Sequence, residues 1–379
     1  MKITVLGKGN AGCLTALHYY HYGQFLPKPL EIELIYDSKI PTLTVGQATI
    51  PALPDFLWKS LGIDLYNNRD TIKSTFKSGI LYENWGKIND KIFHGFPIGT
   101  YALHYDTQEI QNYIIKKGLF KVTVKDENVI NYDDIDSDVI FDCRGWPKDK
   151  NNYDPLINPL NAVVCGNINK IDNDVKWTRA IATPDGWSFY IPLHNKISIG
   201  YMYNSNITSK ENAIINFKKM YDVENIREEF PFNQYVAKNP IIDDRIVLNG
   251  NQLFFLEPLE STAVASYMEW NATTWNWLIN KSISSQQASN YIKEYTKKVQ
   301  NFILWHYCNG SKYDTKFWTY AKDLSNHIND RDFDNFLSYS KSTSFNKIRT
   351  TEYDLNNRKY AQWQPWSFKT WYDGVTKKL

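Results

Sequence analysis

The chain opens on a β run, Lys2-Ile3-Thr4-Val5-Leu6, which leads directly into Gly7-Lys8-Gly9-Asn10-Ala11-Gly12. This G-x-G-x-x-G spacing constrains the fold more than any other feature of the sequence. A helical pattern through Ala16, Leu17 and Tyr20 follows, then a second β run from Glu31 to Tyr36 that ends at Asp37. Strand, glycine turn, helix and strand in that order predict a dinucleotide-binding unit on a parallel sheet. Gly7 permits the tight turn, Gly9 lets the backbone approach a pyrophosphate, and Gly12 lets the helix pack closely on the sheet. The N–H groups and dipole of the helix start then face the phosphates. Asp37 stands about 25 residues beyond Gly12, near where a ribose-binding carboxylate belongs. Its plain alternative is a turn residue that ends a strand.

Composition narrows the function class. With 43 Lys+Arg against 41 Asp+Glu the net charge is +2, which excludes a nucleic-acid binder that works by gross electrostatics. Apolar runs stay short of the roughly 18–20 residues a membrane span needs, and the N-terminus reads as a strand rather than a signal peptide. Cys13, Cys143, Cys165 and Cys308 have no metal-ligand spacing, so the expectation is a reduced, cytoplasmic, metal-free protein without membrane contact. Aromatic residues reach 15%, enough to line a cavity for a flat ligand.

Short β runs are expected at 79–85, 91–93, 120–125 and 139–141, with a helix over 108–117. Residues 187–193 and 197–203 face each other across His194-Asn195-Lys196 as a hairpin. Helices are expected over 212–221, 261–278 and 286–307, and a mixed, Trp- and Tyr-rich tail over 320–379.

Three clusters carry chemistry-bearing residues. Thr44-Val45-Gly46-Gln47-Ala48-Thr49-Ile50-Pro51 makes a tight strap of small residues able to lie against a flat ligand; an ordinary connector ended by Pro51 is the plain alternative. Ser74-Thr75-Phe76-Lys77-Ser78-Gly79-Ile80 puts a lysine at a transition into a strand. Such a lysine is usually solvated, but a buried one is a directional donor whose pKa shifts readily. Glu257-Pro258-Leu259-Glu260-Ser261-Thr262-Ala263 places two carboxylates around a proline on an apolar approach to a helix. A helix N-terminus there could hold an anion, and acidic residues in the first turn are the plain alternative.

Together these residues resemble the flavin-dependent halogenases of the tryptophan-halogenase family. The family's V-G-E-A-T-I-P strap matches residues 45–51 with Gln47 in place of Glu, and its F-K-x-x-I segment before N-W matches residues 76–80 and Asn84-Trp85. Its H-x-F pair matches His94 and Phe96, its D-C-x-G matches residues 142–145, and its E-P-L-E-S-T-G matches residues 257–262 followed by Ala263. W-x-W-x-I-P is present as Trp187-Ser188-Phe189-Tyr190-Ile191-Pro192, with Phe189 in place of the second Trp. The F-I-x-x-H-Y and D-T-x-F-W stretches correspond to residues 302–307 and 314–318, so the match runs in order from about residue 3 to 318. Shortness and an Asn-, Lys- and Tyr-rich composition point to a compact, virus-encoded member. The shortfall lies in the substrate lobe and tail, which points away from free tryptophan as substrate.

The resemblance implies a mixed α/β (α+β) fold: a Rossmann-like FAD-binding lobe of the flavin monooxygenase type, interleaved with an antiparallel-sheet substrate lobe and a helical C-terminal region. The FAD lobe would comprise residues 1–78 with about 133–165 and 240–280, the substrate lobe 79–132 with about 166–239, and the helical region 281–379. It implies FAD, used as FADH2 from a separate flavin reductase, and a halide ion. FAD would be held by Gly7, Gly9, Asn10, Ala11, Gly12, Asp37, Val45, Gly46, Gln47, Ala48, Thr49, Ile50, Gly250 and Ser261. In the family, reduced flavin and O2 turn halide into hypohalous acid, which travels to a lysine beside an aromatic substrate. Carried over, Lys77 is that lysine, Glu260 stabilises the cationic ring intermediate, and Thr262 and Ala263 hold the halide. His94 and Phe96 would stack on the substrate, with Trp366 or Trp371 as a lid. The scheme needs Lys77 and Glu260 to reach one water-poor chamber. A homo-oligomer is compatible with these features. The alternatives are a flavin-dependent aromatic hydroxylase, which would not need Lys77 and which Phe189 favours, and a non-catalytic flavin-binding protein.

Overall fold

A computed structural model describes residues 1–40, 45–119, 122–129, 131–169, 174–221, 223, 226–342 and 359–379. The contacts divide the chain into two compact units, each built from three separate segments. The first comprises Met1–Thr75, Tyr105–Pro155 and Tyr235–Glu294; the second comprises Phe76–His104, Leu156–Gln234 and Tyr295–Leu379.

The first unit is organised by a six-stranded sheet in the order Ile241–Ile242, Ile246–Leu248, Val139–Asp142, Lys2–Leu6, Glu31–Tyr36, Thr123–Asp126. All neighbours in it are parallel except the first pair. Lys2–Leu6 sits between Val139–Asp142 and Glu31–Tyr36, with Leu6 opposite Asp142 on one side and Ile35 on the other. Its residues Ile3, Val5 and Leu6 are fully or almost fully buried, as a strand covered on both faces requires. The helix Asn10–Gly23 returns the chain from the first strand to the second. Buried Thr15 and Tyr19 tie it to the helix Thr262–Leu278 through Asn271 and Thr274.

The second unit carries a seven-stranded sheet in the order Ile226–Pro231, Ala162–Ile168, Ile197–Tyr203, Gly186–Pro192, Thr178–Thr183, Gly79–Glu83, Lys91–Gly95. It is antiparallel except where Thr178–Thr183 runs alongside Gly79–Glu83. Phe189 lies opposite Gly200 in the hairpin, and both strands of that hairpin are buried along their full length. An apolar cluster including Val164, Tyr201, Tyr203, Ala213 and Phe217 packs the helix Lys210–Tyr221 onto the sheet. Helices Lys316–Ser325, Arg331–Ser342 and Pro365–Thr376 complete this unit.

The mixed α/β class expected from the sequence is the class observed, and the strands at 2–6 and 31–36 have the expected bounds. Three local expectations change. The helix over 108–117 is an α-helix only from Thr107 to Tyr113 and continues as a wider π turn, Ile114–Gly118. The strand expected at 120–125 is observed as Thr123–Asp126, residues 120 and 121 lying outside the described residues. The strap contains a short strand, Gly46–Ala48, and its Thr44 likewise lies outside the described residues.

Candidate functional site

The glycine loop occupies the first unit, at the carboxyl end of the central strand. Gly7 has φ +95°, and a Cβ there would come within 2.8 Å of the Cys143 carbonyl oxygen. A Cβ on Gly12 would lie 1.8 Å from the Gly7 oxygen, so the helix can pack this close to the strand end only with glycine there. The helix starts at Asn10 with no side-chain cap and no acidic residue in its first turn. Its first N–H groups and dipole therefore suit an anion. Gly250 has φ +60°, and a Cβ on it would reach within 2.7 Å of the Ala11 Cβ. Asn249 fastens this turn by accepting from Gly250 N at 2.7 Å and donating to Thr15 Oγ1 at 2.9 Å. Asp37 follows the second strand, its Oδ1 accepting from Lys39 N at 2.9 Å, the turn role that the sequence offered as its plain alternative. In the strap, the Val45 carbonyl accepts from Thr107 Oγ1 at 2.9 Å, Gly46 and Thr49 are buried, and Gln47, Ala48 and Ile50 are half-buried. Bare backbone at a helix start, a glycine packed against Ala11 and a strap of small residues fit a dinucleotide cofactor.

Glu260 lies in the same unit, in a tight turn, Leu259–Ser261, just before the helix Thr262–Leu278. Glu260 has φ 67° and Ser261 has φ 59°, two successive non-glycine residues in the left-handed region. Such positions cost of order 1–3 kcal/mol each and persist where the surroundings enforce them. Here Ser261 N donates to Pro258 O at 3.1 Å and Thr262 Oγ1 donates to Glu257 O at 3.3 Å, pinning the turn at both ends. Glu257 is fully buried and Glu260 is 7% exposed. Neither is in the helix's first turn, which contains no acidic residue, so the capping alternative does not hold. The helix begins without a side-chain cap at Thr262 and Ala263, whose amides suit a small anion. Ala263 stands where the family pattern has glycine; because it is already helical, the methyl group is accommodated without strain.

Lys77, in the second unit, closes the strand Thr75–Lys77 and has 0% solvent exposure. Its ammonium lies 5.4 Å from the centroid of the Phe96 ring. The backbone sets this pairing: Phe96 N donates to Ser78 O at 2.8 Å, and Ser78 N donates to Lys176 O at 2.6 Å. The solvated-lysine alternative is therefore excluded. His94 lies opposite Ile80 on the neighbouring strand, and its Nε2 is 3.1 Å from Ser367 Oγ. Its ring centroid is 4.5 Å from that of Trp366, and both residues are buried. One face of the imidazole is thus already covered by the start of the helix Pro365–Thr376.

Sequence reading missed His104. It is fully buried, with Nε2 2.9 Å from Thr178 Oγ1. Burial first, and the Lys77 charge second, hold it well below the usual 6.5 and keep it neutral. A histidine inside the apolar run Ala102-Leu103-His104-Tyr105 was the available signal. Among the described residues no cluster of three or more His, Cys, Asp or Glu side chains suits a metal ion, and no helix is long and apolar enough to cross a membrane.

Comparison with known proteins agrees with this geometry. The profile of the family described as tryptophan halogenase matches residues 2–130 and 154–357. Relatives in sequence include tryptophan 7-halogenase RebH of Lentzea aerocolonigenes, 22% identical, covering 85% of this chain and 79% of that protein. Tryptophan 6-halogenase ThaL of Streptomyces albogriseolus is 20% identical with the same coverage. Among solved structures, MibH, described as a lathipeptide tryptophan 5-halogenase, superposes with TM-score 0.82 at 18% identity over 99% of this chain and 85% of that one. BrvH, a flavin-dependent halogenase from Brevundimonas sp. BAL3, gives 0.80 at 17% identity over 99% and 89%. At such identities structural likeness speaks for the fold, while the profile spans most of the sequence: the chain belongs to the tryptophan halogenase family.

Proposed function

We propose that this chain is a flavin-dependent halogenase that uses reduced FAD, O2 and a halide ion to halogenate an electron-rich aromatic such as an indole or phenol. A separate flavin reductase supplies the reduced flavin. When bound, that flavin supplies the two electrons which, with O2, convert halide to hypohalous acid and water. The residues around Gly7, Gly12, Asp37, Gly250 and the strap hold FAD, and the Thr262 and Ala263 amides hold the halide. Lys77 donates a hydrogen bond to hypohalous acid, or takes the halogen as a haloamine with release of water, and so presents it as an electrophile. Glu260 offsets the positive charge that builds on the ring and takes the ring proton as aromaticity returns. A fixed carboxylate acts more strongly on that cation than on the neutral substrate, which is what lowers a barrier. His94 and Phe96 orient the ring, with Trp366 as its cover.

The full burial of Lys77 carries this reading. An ammonium held against an aromatic face and away from water is a costly arrangement that a structural role does not require. The test combines protein, FAD, a reductase, NADH, O2 and chloride or bromide, and screens electron-rich arenes by mass spectrometry. Halogenated product from wild type, and a fall of about two to three orders of magnitude in Lys77→Met with FAD binding retained, is the expected result. Oxygen insertion from labelled O2 in halide-free buffer would instead identify a hydroxylase.

A further inference from the structure

The residue between the first two glycines of the loop is a lysine, and its side chain has a defined place. The Lys8 ammonium lies 4.1 Å from the centroid of the Tyr36 ring. Tyr36 ends the second strand of the parallel sheet, opposite Asp126, which ends the neighbouring strand. Glu127 N donates to Tyr36 O at 2.8 Å, and Ser38 N donates to Asp126 Oδ1 at 2.8 Å, so these strand ends are stitched together. Lys8 therefore stands at the carboxyl edge of the sheet, the side on which open parallel sheets take their ligands. The acids there are Asp37, Asp126 and Glu127; the exposed Lys39 is a further cation.

That charge pattern poses a problem for a pyrophosphate. Asp37 suits the ribose hydroxyls, but it and Asp126 repel the phosphate next to that ribose. Lys8, half-buried in the glycine loop itself, supplies the opposing charge. The Tyr36 face holds the ammonium in place, and its charge is felt by Asp126, so the cation stands among the acids that a phosphate would meet.

We infer that Lys8 binds the adenosine-side phosphate of the dinucleotide and thereby makes the site select FAD over FMN. This rests on the flavoprotein reading above. FMN carries only the phosphate on the ribityl chain, which the helix start at Asn10 can hold. The second phosphate, beside Asp37, exists only in FAD and in adenine nucleotides such as ADP.

Equilibrium titration of the full-length protein tests this, with FAD and FMN read by flavin fluorescence and ADP by competition against FAD. Lys8→Met weakens FAD and ADP on the order of tenfold, the effect of losing one charge-assisted hydrogen bond, and leaves FMN unchanged. Lys8→Arg restores most of the loss, and the salt dependence of ADP binding is shallower in Lys8→Met. Lys39→Met, the exposed-cation control, leaves all three affinities in place. A parallel fall for FAD and FMN would mean that the loop had been damaged, and unchanged FAD affinity would confine Lys8 to Tyr36 and Asp126; either overturns the inference alone. If wild type binds none of the three, the flavoprotein reading goes with it.

Discussion

The Lys77 ammonium stands 5.4 Å from the centre of the Phe96 ring, on a side chain with no solvent exposure. Lys77 is thus held by an aromatic face and by the strand backbone on either side of it. Lys77→Met keeps the buried stem and removes only the charged head. Product formation should fall by about two to three orders of magnitude, comparable to losing one preorganised donor. FAD affinity should hold within about twofold, because charge-independent packing is preserved. Steady-state rates alongside a flavin titration check both numbers; wild-type turnover in this variant would refute the assigned role.

Glu260, to which the proposed function assigns the ring cation, has an unfavourable backbone, φ 67°. Glycine normally destabilises a folded segment relative to alanine, but at a left-handed position the sign reverses. Glu260→Gly should therefore be more stable than Glu260→Ala by about 1 kcal/mol, read from urea midpoints at equal slope. Both variants should lose product formation, as should Glu260→Gln. Equal stability of the Gly and Ala variants would show that the turn relaxes without the glutamate.

Gly200 faces the Phe189 ring across the hairpin, and a Cβ there would approach ring carbons to 2.2 Å. Gly200→Ala overpacks a hairpin whose two strands are fully buried and should cost about 1–3 kcal/mol. Adding Phe189→Leu should recover part of that loss, a non-additivity expected only of residues in contact. Additive losses in the double variant would exclude the clash as the cause.

Two buried histidines should make the protein acid-sensitive. The Nε2 of His18 is shut away without a hydrogen-bond partner, amid the rings of Tyr19, Tyr22, Phe56 and Trp275. Burial, then the charge of His21, pushes its pKa down to about 4. His104 is held low by burial and by Lys77. The unfolded chain protonates these groups near 6.5 while the folded one resists, so acid favours unfolding. Their contribution is complete above about 6.5 and is lost as pH falls below it, for His18 as pH approaches about 4. His18→Phe should flatten the fall in urea midpoint between pH 7.5 and 5, and His104→Gln should flatten it further. An unchanged slope in both would place the acid sensitivity elsewhere.

The two strands flanking the glycine loop, the hairpin across His194-Asn195-Lys196 and the mixed α/β class were all legible from sequence, because each depends on apolar periodicity and turn chemistry within a few residues. The ordered motifs likewise pointed to the family before any coordinate was known. The setting of individual side chains was not legible in this way. Lys77 reads as an ordinary surface cation until packing buries it beside Phe96, about 20 residues on in sequence, with its charge acting on His104, about 27 residues on. Glu260 and Ser261 read as first-turn residues of a helix until the Pro258 and Glu257 carbonyls hold them left-handed ahead of it. Periodicity determines which face of an element seeks the core, and the sequence carries that by itself. Whether a polar group is dehydrated, or a backbone strained, depends on contacts among distant segments, and only the packed chain decides it.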